Sequence, residues 1–228
     1  MTDTPRPRLP IAVCVELGAK RAFASALDWP GWCRSGRDEH LALRALEEYA
    51  PRYGVVAAAA GIALPAVAAR SLAVVERVAG STTTDFGAPG ALAAADAAAS
   101  GPAEARRVAA LVEASWQALE RAVAMAPVAL RKGPRGGGRD RDAIAAHVLA
   151  AEAAYGRKLG VRLPAPDAAD TGAVARLRAA ILAVIGAPSD GAPTLERGWP
   201  PRYAARRIAW HALDHAWEIE DRSEPAGP

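Results

Sequence analysis

From residue 102 onward the chain carries only one kind of periodicity, and that restricts its folds more than any other feature. Apolar side chains recur at three- and four-residue steps, as in Val108, Leu111, Val112, Trp116, Leu119 and Val123. That spacing puts them on one face of a helix. Pro102 suits the first turn of such a helix, where its missing N–H costs nothing. The pattern predicts helices over about 102–125, 141–160, 172–186 and 201–221. Between them lie the loops RKGPRGGGRD (131–140), Pro164–Asp170 and APSDGAPTLERGWP (187–200). Four helices of similar length joined by loops can bury their apolar faces as a four-helix bundle.

Before residue 100 the signals mix. IAVCVEL (11–17) alternates and is β-branched, Gly18 and Ala19 form a turn, and RAFASALD (21–28) returns as the second strand of a hairpin. DWPGWCRSG (28–36) reads as a turn-rich, aromatic connection. Ser35 or Asp38 can cap a helix running to about residue 50, with acidic residues in its first turn. A second short helix is expected over 55–69, a strand over 71–78, and a loop over AGSTTTDFGAPG. The low-complexity stretch ALAAADAAASG marks a boundary. The expected organisation is a small α+β domain over 1–90, a linker over 91–101, and an all-α four-helix bundle over 102–228.

Apolar residues make up 51% of the chain, mostly alanine, which supports a buried core of closely packed helices. The net charge of +3 is read as an Ala-, Arg-, Gly- and Pro-rich coding bias rather than a nucleic-acid footprint, which needs basic residues clustered on one face, so nucleic acid is not an expected partner. The N-terminus MTDTPRPRLP lacks the apolar stretch of a secretory signal. No run of about eighteen apolar residues could span a bilayer. The expected compartment is the cytoplasm, with Cys14 and Cys33 reduced.

The chain holds four histidines. His211 and His215 stand one turn apart on the last helix, on one face, where two imidazoles can reach one metal ion. His147 on a facing helix can complete the set. Three nitrogen ligands leave a coordination position for water or substrate. An HxxxH pair also arises often by chance on a helix, and spacing alone does not establish facing. Asp214 and Glu218 lie beside these histidines and could orient a ligand imidazole, although a solvated or ion-paired helix face is the plainer reading. Glu152, five residues after His147, points elsewhere. Trp210 and Trp217 read as core or pocket wall. Arg135, Arg139 and Arg141 flank the start of the second helix of this half, where backbone amides and basic side chains can dock a carboxylate or phosphate. A solvated, solubilising loop explains them equally well. No GK[ST] follows, so this is not a Walker motif.

Two segments carry a family resemblance. RRIAWHALDHAWEIEDR (206–222) resembles the last helix of DinB-like proteins, particularly the branch containing mycothiol-dependent maleylpyruvate isomerases. DAIAAHVLAAEAAYGRKLG (142–160) is similar to that family's second helix. The resemblance spans 102–222 and implies a metal-binding four-helix bundle with His147, His211 and His215 as ligands. Zn and Ni are the leading candidates for one divalent ion. It further implies an enzyme using mycothiol or a similar low-molecular-weight thiol to transfer to, or isomerise, a small electrophile. Homodimers are common in that family, though no sequence feature demands one. RAFASALDWPGWCRSGRDEHLALRALEEY (21–49) resembles a HicB-like antitoxin domain, which by elements would extend over about 11–80. The DNA-binding helices of such antitoxins are not evident. Trp29, Trp32 and Cys33 could line a pocket, but packing of the turn against the sheet is the simpler expectation, and His40 is expected at the surface. The alternatives are a non-enzymatic binding or regulatory protein acting through the HicB-like part, and metal-assisted hydrolysis at the same histidines.

Overall fold

The structure is a computed structural model that describes residues 10–65, 71–133 and 137–223. In chain order it forms β1 (Ile11–Leu17), β2 (Ala22–Ala26), β3 (Cys33–Gly36), α1 (Glu39–Glu48), α2 (Ala50–Ala59), β4 (Leu72–Ala79) and α3 (Thr82–Phe86). A 3-10 turn at Ala94–Ala97 leads into four longer helices: α4 (Pro102–Met125), α5 (Arg141–Lys158), α6 (Thr171–Ile185) and α7 (Pro201–Ser223). The fold is α+β, with a four-stranded mixed sheet ordered β3-β2-β1-β4. β1 runs antiparallel to β2 and parallel to β4, and β3 is antiparallel to β2.

β1 is buried on both faces, which explains its nearly continuous apolar run. Ile11, Val13 and Val15 pack with Ala42 and Leu46 of α1 and Tyr53 of α2. Cys14 points the other way, against Leu27 and Ala93. The hairpin closes with Gly18 N–H donating to the Arg21 carbonyl at 2.9 Å. The stretch expected to be irregular after β2 contains a further strand, β3. It is short and polar (CRSG), so it shows neither alternation nor β-branching, and its pairing comes from the edge of β2. Asp38, not Ser35, caps α1, accepting from Leu41 N–H at 2.8 Å. The second helix begins at Ala50 rather than near 55. Pro51 fits its first turn, and Gly61, at φ +71°, follows its end. Positions 66–69 of the expected helix lie outside the described residues. The expected loop after β4 contains α3, whose first turn is closed by Ser81 and Thr84: Thr83 N–H donates to Ser81 Oγ and Ser81 N–H to Thr84 Oγ1.

Two apolar clusters organise the interior. One lies among the long helices and contains Val112, Trp116, Ile144, Val148, Leu177, Ile181 and Ile208. The other joins the sheet and its α1–α2 layer to Leu111, Ala114 and Ala118 of α4 and to Leu213 and Trp217 of α7. α4 and α7 therefore have two apolar faces each. Alanines at 204, 205, 209, 212 and 216 are all buried and let α7 lie close to its neighbours. The turn before β3 rests directly on α7. Gly31 adopts φ +92°, and a Cβ there would stand 2.6 Å from Leu213 Cδ1, so both the conformation and the contact require glycine.

Three buried carboxylates have partners. Glu16 accepts from the Thr84 hydroxyl and from Gly90 and Ala91 N–H, tying the loop after α3 to the sheet. Asp96 in the 91–101 bridge accepts two bonds from Arg206 of α7, at 2.8 and 2.5 Å. Glu152, 1% exposed, accepts from Arg178 at 3.0 and 3.2 Å. No helix among the described residues is long and apolar enough to cross a membrane.

Candidate metal centre

α5 and α7 bring His147, His211 and His215 together. One ligand atom from each lies within 4.8 Å of the others. Ring centroids form a near-equilateral triangle, with separations of 5.0, 5.1 and 4.7 Å. The neighbours Ile144 and Val148 anchor α5 in the core, and Ile208 and Ala212 do so for α7, so the backbone fixes where the rings start.

The donor set fits a metal ion. His147 Nε2 and His211 Nε2 stand 3.3 Å apart. Two nitrogens each ~2.0–2.1 Å from a tetrahedral zinc would be separated by about the same distance. His215 uses Nδ1 against Glu218 Oε2 at 2.8 Å, which leaves Nε2 for the cluster. Arg222 Nη1 donates to the other Glu218 oxygen at 2.6 Å and holds the carboxylate in place. A carboxylate on the far nitrogen of a ligand imidazole fixes the tautomer and raises its basicity. His211 Nδ1 is buried without a hydrogen-bond partner, so His211 lacks the support that His215 has.

Burial and neighbouring positive charge favour the neutral, ligating form of His147 and His211. Burial, then the neighbouring His215 and His147, push His211 down to about 2. Burial and His215 also lower His147, with Arg139 adding to the effect. The hydrogen bond from His215, with help from Arg222, holds Glu218 below the usual carboxylate range.

Of the two carboxylates flagged on α7, Glu218 meets a histidine and Asp214 does not. Asp214 pairs with Arg34 of β3 at 3.0 Å. The basic loop divides similarly. Arg141 is committed to Asp142 at 2.7 Å and to the Ala126 carbonyl at 2.9 Å. Arg139 is exposed and close enough to act electrostatically on His147 and His211. Arg135 lies outside the described residues.

Arg207 was not singled out by its sequence. Its guanidinium lies 4.7 Å from the Trp210 ring and 5.5 Å from the Tyr155 ring, and its Nη1 is buried without a hydrogen-bond partner. Both aromatic rings are 5.8 Å from the His211 ring. The available signal was spacing: Arg207 precedes His211 by four residues and Tyr155 follows His147 by eight, so each shares a helix face with a histidine. Trp217 packs against Tyr49 at 5.0 Å in the shared core. Trp32 stacks on Tyr53 at 5.4 Å and donates Nε1–H to the Leu46 carbonyl at 2.9 Å, so with Trp29 and Cys33 it packs the turn. His40 is exposed.

Neither of two cavities elsewhere is lined by the histidines. One, of about 20 Å³, sits between the sheet and α7, is lined by Trp29, Trp32 and Cys33 together with Arg206 and Trp210, and has room for roughly one water. The other, of about 560 Å³, lies between α4, α5 and α6. The histidine cluster reaches solvent through the half-buried His147 and His215. Comparisons with protein-family models, with curated proteins and with solved structures gave no match.

Proposed function

We propose that His147, His211 and His215 hold one divalent metal ion in a DinB-like four-helix bundle formed by α4–α7, and that the protein is a thiol-dependent transferase or isomerase acting on a small electrophile. The observation that carries the metal reading is the convergence of three imidazole donors within 4.8 Å on two core-anchored helices. The thiol reading rests on the resemblance of 142–160 and 206–222 to the mycothiol-dependent branch of that family. Zn and Ni are the first ions to test, since three imidazoles suit both.

A metal at this position supplies Lewis acidity, which makes a thiol or water nucleophilic near neutral pH. The chain's own groups do the rest. Glu218, clamped by Arg222, orients His215. Tyr155 and Trp210 wall the His211 side, and Arg207 and Arg139 place positive charge beside the cluster, which favours an anionic group on substrate or thiol.

A second reading has an observation of its own. The histidines line neither cavity, which suits a metal that braces the helices while the HicB-like part binds a partner. Metal-assisted hydrolysis would use the same three ligands. Metal content by mass spectrometry, on protein purified without a nickel column, tests the ion that these readings share. One ion per chain, lost in His211→Ala/His215→Ala, is the expected result and opens a screen of thiols and electrophiles. No ion after added Zn or Ni would overturn the proposal.

A further inference from the structure

The larger of the two cavities, about 560 Å³, shares no lining residue with the histidine cluster. It is a groove between α4 and α6, floored by α5. Ala145 and Leu149 of α5 face it, whereas His147, between them in sequence, faces α7. The helix thus separates two sites with no shared side chain. α4 and α6 run antiparallel, since Gly186 lies against Ala109 at one end and Arg178 pairs with Glu120 further along. Ala175 and Ala179 keep the α6 wall low, and Leu119, Val123, Val174 and Leu182 make the lining apolar. Size and character match those of small-molecule pockets.

Charge selects the class of occupant. Among the described residues the only cation in the lining is Arg178, 9% exposed, and it is already committed. Its Nε and Nη2 donate to buried Glu152 beneath the groove, and its Nη1 to Glu120. Glu120 is 59% exposed, and Glu113, two turns earlier on α4, enters no ion pair among the described residues. Two carboxylates, Glu120 and Glu152, therefore share one guanidinium, and Glu113 adds a third negative charge to the lining. An anion here would meet like charge and a guanidinium with no free positive charge to offer. A cation would relieve the excess.

We propose that this groove binds an amphiphilic cation, with an ammonium or amidinium head between Glu113 and Glu120 and an apolar body along Leu119, Val123 and Val174. The proposal is independent of the metal. Isothermal titration of the full chain with decyltrimethylammonium and with decanoate, each below its micelle concentration and at low salt, tests it. Expected are one ammonium per chain and decanoate about tenfold weaker or undetectable. Glu113→Gln/Glu120→Gln, two exposed positions that leave the core untouched, should weaken the ammonium by about tenfold. Ala175→Trp should abolish binding by filling the groove, and His211→Ala should not change it. Absence of ammonium binding, equal binding of decanoate, or no effect of the Glu113/Glu120 pair would overturn it. So would a stable dimer, seen by light scattering, that Ala175→Trp dissociates, because the occupant would then be a second copy of this chain.

Discussion

Glu218→Gln is the most discriminating substitution at the candidate metal centre. The change keeps the shape of the side chain and an acceptor oxygen, but it removes the charge that meets His215 Nδ1 at 2.8 Å and Arg222 Nη1 at 2.6 Å. Loss of such a carboxylate costs roughly 10–100-fold in metal affinity, equal to about 1.4–2.7 kcal/mol. The same difference appears in stability, because an ion that binds only the folded chain stabilises it by RT ln(1 + [L]/Kd). For a chain of this size the metal-induced rise in Tm should then be ~3–11 °C smaller than in the wild type. Chelator-competition titration with Zn(II) measures the affinity, and thermal unfolding with and without metal measures the linkage. Asp214→Asn is the matched control. Asp214 pairs with Arg34 and touches no histidine, so affinity should stay within about threefold. If Glu218→Gln binds within about threefold of wild type while His211→Ala abolishes binding, Glu218 does not orient the ligand and the second layer of the site has been misread.

Further outcomes follow from buried charge and burial. Arg178→Met leaves Glu152 unpaired at 1% exposure and should cost about 3–5 kcal/mol, or ~6–20 °C in Tm, with much of it recovered in Arg178→Met/Glu152→Gln; equal loss in both variants would mean the pair is not what Arg178 contributes. Burial pushes the Cys14 thiol up to about 11 and Cys33 up to about 12, so a thiol reagent at pH 8 should modify the native chain more than about tenfold slower than the unfolded one. Metal-stripped protein should lose stability as pH falls. His211 titrates near 6.5 unfolded but at about 2 folded, so below 6.5 the unfolded chain takes up a proton that the folded one refuses. The limiting loss is about 1.4 kcal/mol per pH unit. Urea denaturation at pH 7 and 5.5 should show this loss, reduced in His211→Asn.

The four long helices were legible in the sequence because α4 carries a clear apolar period and all four are alanine-containing, helix-forming segments separated by proline- and glycine-rich loops. Pro102 opens α4 at the residue expected, and α5, α6 and α7 lie within two residues of their expected bounds. What stayed hidden was short or made by other elements. β3 has no pattern of its own; it exists because β2 offers a free edge. α3 is a single capped turn in a run of threonines, a sequence that equally suits a loop. The convergence of His147 with His211 and His215 could be expected from spacing and resemblance but not demonstrated, since facing depends on how α5 docks on α7. The two acidic neighbours of the histidines are indistinguishable in sequence. Only the position of β3 assigns Asp214 to Arg34, and only the α7 turn assigns Glu218 to His215. Arg207 went unnoticed because an arginine reads as a solvated surface group until two aromatic rings are found around it.

α7 presents Leu213 and Trp217 to the sheet's core while carrying two of the three histidines on another side. A fragment cut at the 91–101 bridge would keep every candidate ligand yet bare a stripe formed by Leu111, Ala114, Ala118, Leu213 and Trp217. Such a stripe on an isolated helical half is an aggregation surface. The sheet half, released alone, would lose the helices that cover it. The histidine cluster and the sheet are therefore tied through one continuous apolar core, and parting them would bare that core on both sides.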